Sequence, residues 1–320
     1  MTIASGQNVK LSIQEEVTYG TAITDAAYSV FPFKSVNLSL AKTNHESGVI
    51  TGDREVQDVI MGAHSVTGDV SFDLSHQPAY IEGLRAILGV NALESGGDFA
   101  IGSVRQSYTL HQTFLDLASN NDVHVYKGCE FNSFSMTVPA DGLIECSFGL
   151  IGSTMTTENA EIDGSEADYT DANNPYHSSQ ATITLGGSSA AIITDFSLAI
   201  DNGLSTANKI GSNLATQGGI GKCRVSGSFT AHFDDTGGTA QYEKFLASTK
   251  EAIIVSLGSG STGIKFTMPE VVYTTGAVEV GGEGLLSIST EFVAIYKDNG
   301  NLSALTIDTN GDSNFNRRFT

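Results

Sequence analysis

The sequence predicts a mostly β protein made of two homologous β-sandwich domains, each with one flanking α-helix. Three observations carry this expectation. Apolar and polar residues alternate with period two along much of the chain, a short helical stripe interrupts the alternation once in each half, and the same order of elements returns about 160 residues later. Thirty-five glycines and many Ser and Thr in alternating runs fit a β-rich chain with tight turns.

Residues 33–41 read as a strand with Val36, Leu38 and Leu40 inward and Asn37 and Ser39 outward. In residues 65–75, Val66, Val70, Phe72 and Leu74 share one face, while Thr67, Asp69, Ser71 and Asp73 share the other. One face is therefore buried and one is wet. After Pro78 the period changes, and Ile81, Leu84 and Leu88 form the stripe of a short amphipathic helix. A hairpin follows: Phe134, Met136 and Val138 lead to a turn at residues 139–142, and Ile144, Cys146, Phe148 and Leu150 return. Phe131 falls outside the even-numbered frame, which predicts a β-bulge between it and Phe134.

The second half repeats these signals. Val36–Leu38–Leu40 matches Phe196–Leu198–Ile200, displaced by 196 − 36 = 160, and Val66-Thr-Gly68-Asp-Val70 matches Val225-Ser-Gly227-Ser-Phe229, displaced by 225 − 66 = 159. Tyr242, Phe245 and Leu246 supply the second helical stripe. Met136-Thr-Val138 with Gly142 matches Val278-Glu-Val280 with Gly284, displaced by 278 − 136 = 142, and Phe131 matches Tyr273 at the same displacement. A Gly-rich insertion, residues 89–106, follows the first helix only and accounts for the shorter displacement. The expected organisation is a first domain at 1–155, an acidic polar linker at 156–180, a second domain at 181–297 and a polar tail at 298–320 with one apolar stretch at 302–307.

Composition narrows the function. Thirty-six Asp and Glu against 16 Lys and Arg give a formal net charge of −20. That disfavours tight binding to nucleic acid, which needs clustered Lys and Arg, but suits a surface past which DNA slides. No signal peptide or membrane-spanning run is expected, and three widely spaced cysteines read as reduced thiols of a cytoplasmically made protein. The seven histidines show no metal-ligand spacing. Around Lys222 the Gly-rich stretch has Thr216 and Cys223 where a phosphate loop needs Gly and a hydroxyl, and the acidic turn at 308–314 lacks the Gly and Glu positions of an EF-hand. No cofactor, metal or catalytic constellation is expected, so the protein reads as a non-enzyme. Two other classes stay open: a surface adhesin or carbohydrate-binding β-sandwich, usually marked by exposed Trp platforms that this chain lacks, and a β-sandwich hydrolase.

Residues 15–22 (EEVTYGTA), the stretch 50–58 (ITGDREVQD) and the strand 65–75 (SVTGDVSFDLS) resemble the siphophage major tail-tube protein family, as does the hairpin at 126–152. The second half departs more, since its loop 202–222 has no clear counterpart of Arg54. The resemblance implies a structural subunit of the virion, assembled in the host cytoplasm without a membrane, stacking as rings into a hollow tube for double-stranded DNA. It implies a tape-measure protein, a tail terminator and distal-tip proteins as partners. One four-stranded sheet of each domain is then expected to join its neighbours as an inner barrel. Alternation assigns Asn37, Ser39, Asp69, Ser71, Asp73, Ser135, Thr137, Glu145 and Ser147 to the lumen, with Ser197, Asp201, Ser228, Thr230, Glu279, Ser287, Ser289 and Glu291 from the second domain. These positions include six acids and no Lys or Arg. The long loops 42–64 and 202–222 are expected to join successive rings, through Asp53, Arg54, Glu55 and Asp58 above all. Three chains would supply roughly 24 inner strands, closing a barrel about 48 Å across at the backbone, wide enough for duplex DNA. Six chains with only the first domain inside form the rival arrangement.

Overall fold

The structure, a computed structural model, describes residues 4–23, 28–50, 52, 54–90, 98–117, 122–159, 174–189, 193–233, 238–279, 285–297 and 303–309. The first half comprises β1 (Val9–Glu15), β2 (Ser29–Val30), β3 (Ser35–Val36), β4 (Ser39–Glu46), β5 (Val59–Asp73), α1 (Pro78–Leu88), β6 (Asp98–Ala100), β7 (Tyr108–Phe114), β8 (Val123–Pro139), β9 (Glu145–Gly152) and β10 (Thr154–Glu158). The second comprises β11 (Ala181–Leu185), β12 (Ser188–Ser189), β13 (Ile193–Asp201), β14 (Thr206–Ala207), β15 (Thr216–Gln217), β16 (Arg224–His232) and α2 (Gly238–Leu246). It continues with β17 (Glu251–Leu257), β18 (Ile264–Tyr273), β19 (Ala277–Glu279), β20 (Ser287–Ala294) and β21 (Thr306–Asp308).

Alternating strands bury one face, and the buried faces meet as the core between two layers. The first layer is one long antiparallel sheet in the order β4, β5, β9, β8, β13, β16, β20, β19, with β3 beside β4 on β5. The second layer is two separate sheets. One orders β2, β1, β7, β8, β10 and the other β12, β11, β17, β18, β21, β6. β8 serves both layers, and its pairing with β9 slips between Phe131 and Ser133, where the sequence predicts a bulge. The second half makes the same change of layer by a break at 274–276 between β18 and β19.

Pairing registers in the two halves coincide once the sequence displacements are applied. Val36 opposes Val70 and Ser39 opposes Thr67; their counterparts Phe196 and Ala199 oppose Phe229 and Ser226. Ser147 opposes Ser71 and Ser135; Ser289 opposes Thr230 and Ala277. The matched glycines have a matched cause. A Cβ on Gly68 would sit 2.7 Å from the Asn37 carbonyl oxygen, and one on Gly227 would overlap the Ser197 carbonyl oxygen. Each glycine lets the preceding strand's backbone approach closely.

Phe72, Phe131, Phe134 and Phe148 fill the first half's core, with Phe148 stacked on Phe72 at 5.1 Å and edge-on to Phe131 at 4.9 Å. The stripe of Ile81, Leu84 and Leu88 packs into it. Pro at the first turn and a left-handed Gly89 (φ 67°) at the C-cap delimit α1. The helix is more enclosed than an amphipathic stripe predicts: every residue from Ala79 to Leu88 is buried, Glu82 and Arg85 included. These two charges are tolerated because they pair. Arg85 bonds Glu82, and its guanidinium also donates to Glu15 (2.9 Å) and the Val90 carbonyl (2.9 Å), while the Tyr108 hydroxyl donates to Glu82 (2.7 Å). Burial raises the Glu15 pKa against the opposing pull of Arg85.

The segments outside the repeat are structural. Residues 302–307 fall in the polar tail by sequence, yet Leu305 and Ile307 are fully buried and Thr306–Asp308 is a strand. β21 lies between β18 and β6, opposing Ile307 to Phe99 of the insertion. The ends of the expected linker are also built in: β10 takes its start, and buried Tyr176 bonds through its backbone to Leu74 and Ile144 (2.8 and 3.1 Å). Its centre, 160–173, lies outside the described residues, as does the tail beyond 309. Phe99 thus carries a first-half segment into the second half's core. Phe99→Ala is expected to cost about 3–5 kcal/mol, read as a lowered denaturation midpoint in urea.

Candidate assembly surface

One face of the long sheet is wet, and the alternating polar residues of both halves come together there in cross-strand rows. Asp73, Glu145, Thr137, Ser197, Ser228 and Glu291 form one continuous row across six strands. A second row runs Ser71, Ser147, Ser135, Ala199, Ser226 and Val293, and a third runs Asp69, Gly149, Ser133, Asp201 and Arg224. Thr230 and Ser289 stand with Asp195 and Ala277 in a fourth, while Ser287 opposes Glu279. Asn37 and Ser39 lie at the β3–β4 edge, both exposed. The Glu279 side chain lies outside the described residues.

Sequence reasoning missed the cations on this face. Lys34, upstream of the strand register, donates to Glu145 (2.6 Å) and sits 3.2 Å from Asp73; the bonds to Glu145 and Asp73 raise its pKa. Arg224 opposes Asp201 at the other margin. The face remains acidic, but two of its carboxylates are paired. Serine and threonine hydroxyls between the acids offer weak, neutral contacts, so a polyanion meets a hydrated surface with few points of attachment.

The two long loops differ. β4 and β5 extend as a hairpin arm, paired from Ser39–Thr67 out to Glu46–Val59. Its tip exposes apolar side chains, with Ile50 at 96% and Val49 at 73% accessible, alongside exposed Val56, Ile60 and Met61. Arg54, Glu55 and Asp58 are exposed there, and Asp58 accepts from the Val59 amide at 2.8 Å; Asp53 lies outside the described residues. Loop 202–222 instead folds onto the first half of its own chain. The Arg105 guanidinium grips Glu130 and donates to the Gly218 carbonyl (2.6 Å), Ser153 Oγ donates to the Ala215 carbonyl (2.6 Å), and the His64 amide to the Asn213 carbonyl (2.7 Å). Leu204 completes the attachment by donating to Asn132 Oδ1 at 2.7 Å. Only the insertion supplies Arg105, so periodicity could not foresee this docking.

Among the described residues, no group of three or more His, Cys, Asp or Glu is placed to hold a metal ion. Burial raises the pKa of Cys129 and Cys146, and that of half-buried Cys223 to about 11, so all three stay protonated at neutral pH. No helix of the described residues is long and apolar enough to cross a membrane.

A family model described as phage tail tube protein matches residues 6–294, spanning both halves and the seam between them. No curated protein matches the chain.

Arg105 and Glu130 anchor the second loop to the first half. Arg105→Ala is expected to speed amide exchange across residues 213–221 at least tenfold, read by hydrogen-exchange mass spectrometry, while α1 stays protected.

Proposed function

We propose, because the chain belongs to the phage tail tube protein family, that it forms rings of three chains which stack into a DNA conduit, with both halves lining the channel. The protein is a structural component of the phage tail and self-assembles into a tube. The observation that carries the finer reading is the pairing of β8 with β13, which merges the inner sheets of the two halves into one. Each chain then offers eight strands, β4, β5, β9, β8, β13, β16, β20 and β19, and three chains supply roughly the 24 of a duplex-wide barrel. The two halves act as homologous tube domains in this reading, divided near 155 and 181.

The wet face lines the channel, and its acids with interleaved hydroxyls keep phosphates from sticking. The β4–β5 arm reaches the next ring, where the apolar tip is covered and Arg54, with Asp53, Glu55 and Asp58, makes charged contacts. Exposed apolar residues of this size on one arm support that role, since isolated subunits gain nothing from showing them to water. A tape-measure protein, a terminator and distal-tip proteins complete the tail.

Cryo-electron microscopy of purified tubes is the direct test. Threefold rings with 181–297 in the channel wall are expected; sixfold rings with that half outside the wall overturn the arrangement. The channel assignment has its own test in Asp69→Lys, Asp201→Lys and Glu291→Lys combined. Tubes should still form, while each Lys adds a salt-sensitive phosphate contact, with a slope of about −0.9 in log K against log salt. DNA ejection should slow several-fold at low salt and recover at high salt. Salt-independent wild-type kinetics would place these residues away from the DNA.

A further inference from the structure

We infer that neighbouring chains join by repeating the β8–β13 seam, so that β4 of one copy pairs antiparallel with β19 of the next, Ser39 opposite Ala277. The inference rests on the ring assembly proposed above and adds to it the strands, the orientation and the register.

Within one chain, the seam joins the last strand of the first half's inner sheet to the first strand of the second half's. Thr137 opposes Ser197, Met136 opposes Leu198 and Ser135 opposes Ala199. Both strands have counterparts at the free ends of the long sheet. β13 corresponds to the β3–β4 edge at a displacement of 160, since both make the same register with β16 and β5. The outer part of β8 corresponds to β19 at a displacement of 142, since both make the same register with β9 and β20. Among the described residues, β4 pairs with β5 alone and β19 with β20 alone. Each therefore has one side without a strand partner, where the Leu38 carbonyl of the β3–β4 edge accepts from the Tyr126 hydroxyl (3.2 Å), and such a side is a template for another strand.

Carrying the seam across by those displacements places Asn37 opposite Glu279, Leu38 opposite Val278 and Ser39 opposite Ala277. The chemistry of each face is kept. Leu38 and Val278 take the apolar side, as Leu198 and Met136 do within the chain, and both are at least half-buried already. Ser39 and Ala277 are exposed small residues on the wet side, as Ala199 and Ser135 are. A slip of one residue would turn apolar side chains into the channel, so it is excluded by patterning. A slip of two keeps the faces, and only the inherited register decides against it.

The test is a disulfide across the predicted pair in assembled tubes, with Cys223→Ser as background. Ser135→Cys with Ala199→Cys occupies the equivalent pair inside one chain and calibrates whether this geometry accepts a disulfide. It should close within the chain and give a faster monomer band without reductant. Ser39→Cys with Ala277→Cys should instead link most of the chain between copies, as a ladder that ends at three. Tubes in which that pair stays unlinked while the internal pair closes overturn the register, as does preferential linking of Ser39→Cys with Thr275→Cys. Protein that builds no tube at all overturns the ring assembly itself, a failure visible in the microscope before any gel is run.

Discussion

A β-strand satisfies its backbone only when both of its edges are paired or wet, and the long sheet meets that constraint at every strand it adds. Inside the chain the solution is visible: residues 133–139 of β8 and 195–201 of β13 close one junction with backbone bonds. This junction sets much else. It aligns the polar rows of the two halves, so that Asp73 and Glu291 belong to one row although 218 residues separate them (291 − 73). It also leaves a sheet whose two remaining edges resemble the two strands just joined. A chain with that property can be extended by copies of itself in one orientation, which is what the proposed ring requires.

The second layer is fastened by different means, because among the described residues its two sheets do not pair with each other. The insertion and the tail hold the halves together through β6 and β21, and Phe99 and Ile307 go into the core there. Arg105 adds a polar fastening on the other side, bridging Glu130 to the loop 202–222. These devices are particular to one half each. The sheet junction joins the two repeated sheets, and the unrepeated segments add contacts between the halves.

Much of the long sheet was legible because alternation is a local property. Thr67–Asp73 and Ser135–Thr137 reveal their wet face within a few residues, and the bulge near Phe131 shows as a change of frame. The repeat was legible because Gly68 and Gly227 answer the same steric demand from the preceding strand. What escaped was contact between distant segments. Three-residue strands such as Asp98–Ala100 and Thr306–Asp308 are too short to show a period. Lys34 shares the inward frame of Val36 and Leu38 in the strand read over residues 33–41, whereas β3 begins only at Ser35, so alternation does not place its ammonium beside Asp73 and Glu145. The docking of loop 202–222 depends on Arg105, a single cation in a segment with no counterpart in the other half.

The differing loops show what a two-part chain can do that a ring of identical single domains cannot. In six identical subunits every loop must serve the same purpose, whereas here one is bonded down at Asn213, Ala215 and Gly218 and the other stands free with Ile50 and Met61 in solvent. Tethering the second loop adds contacts along the internal seam, where His64 and Ser153 of the first half receive it. The free arm keeps an apolar tip whose burial can stabilise only an assembly, never the isolated subunit. In the proposed assembly the chain and the tube would then be stabilised by different loops, and a change in the arm would alter stacking without loosening the fold that carries it.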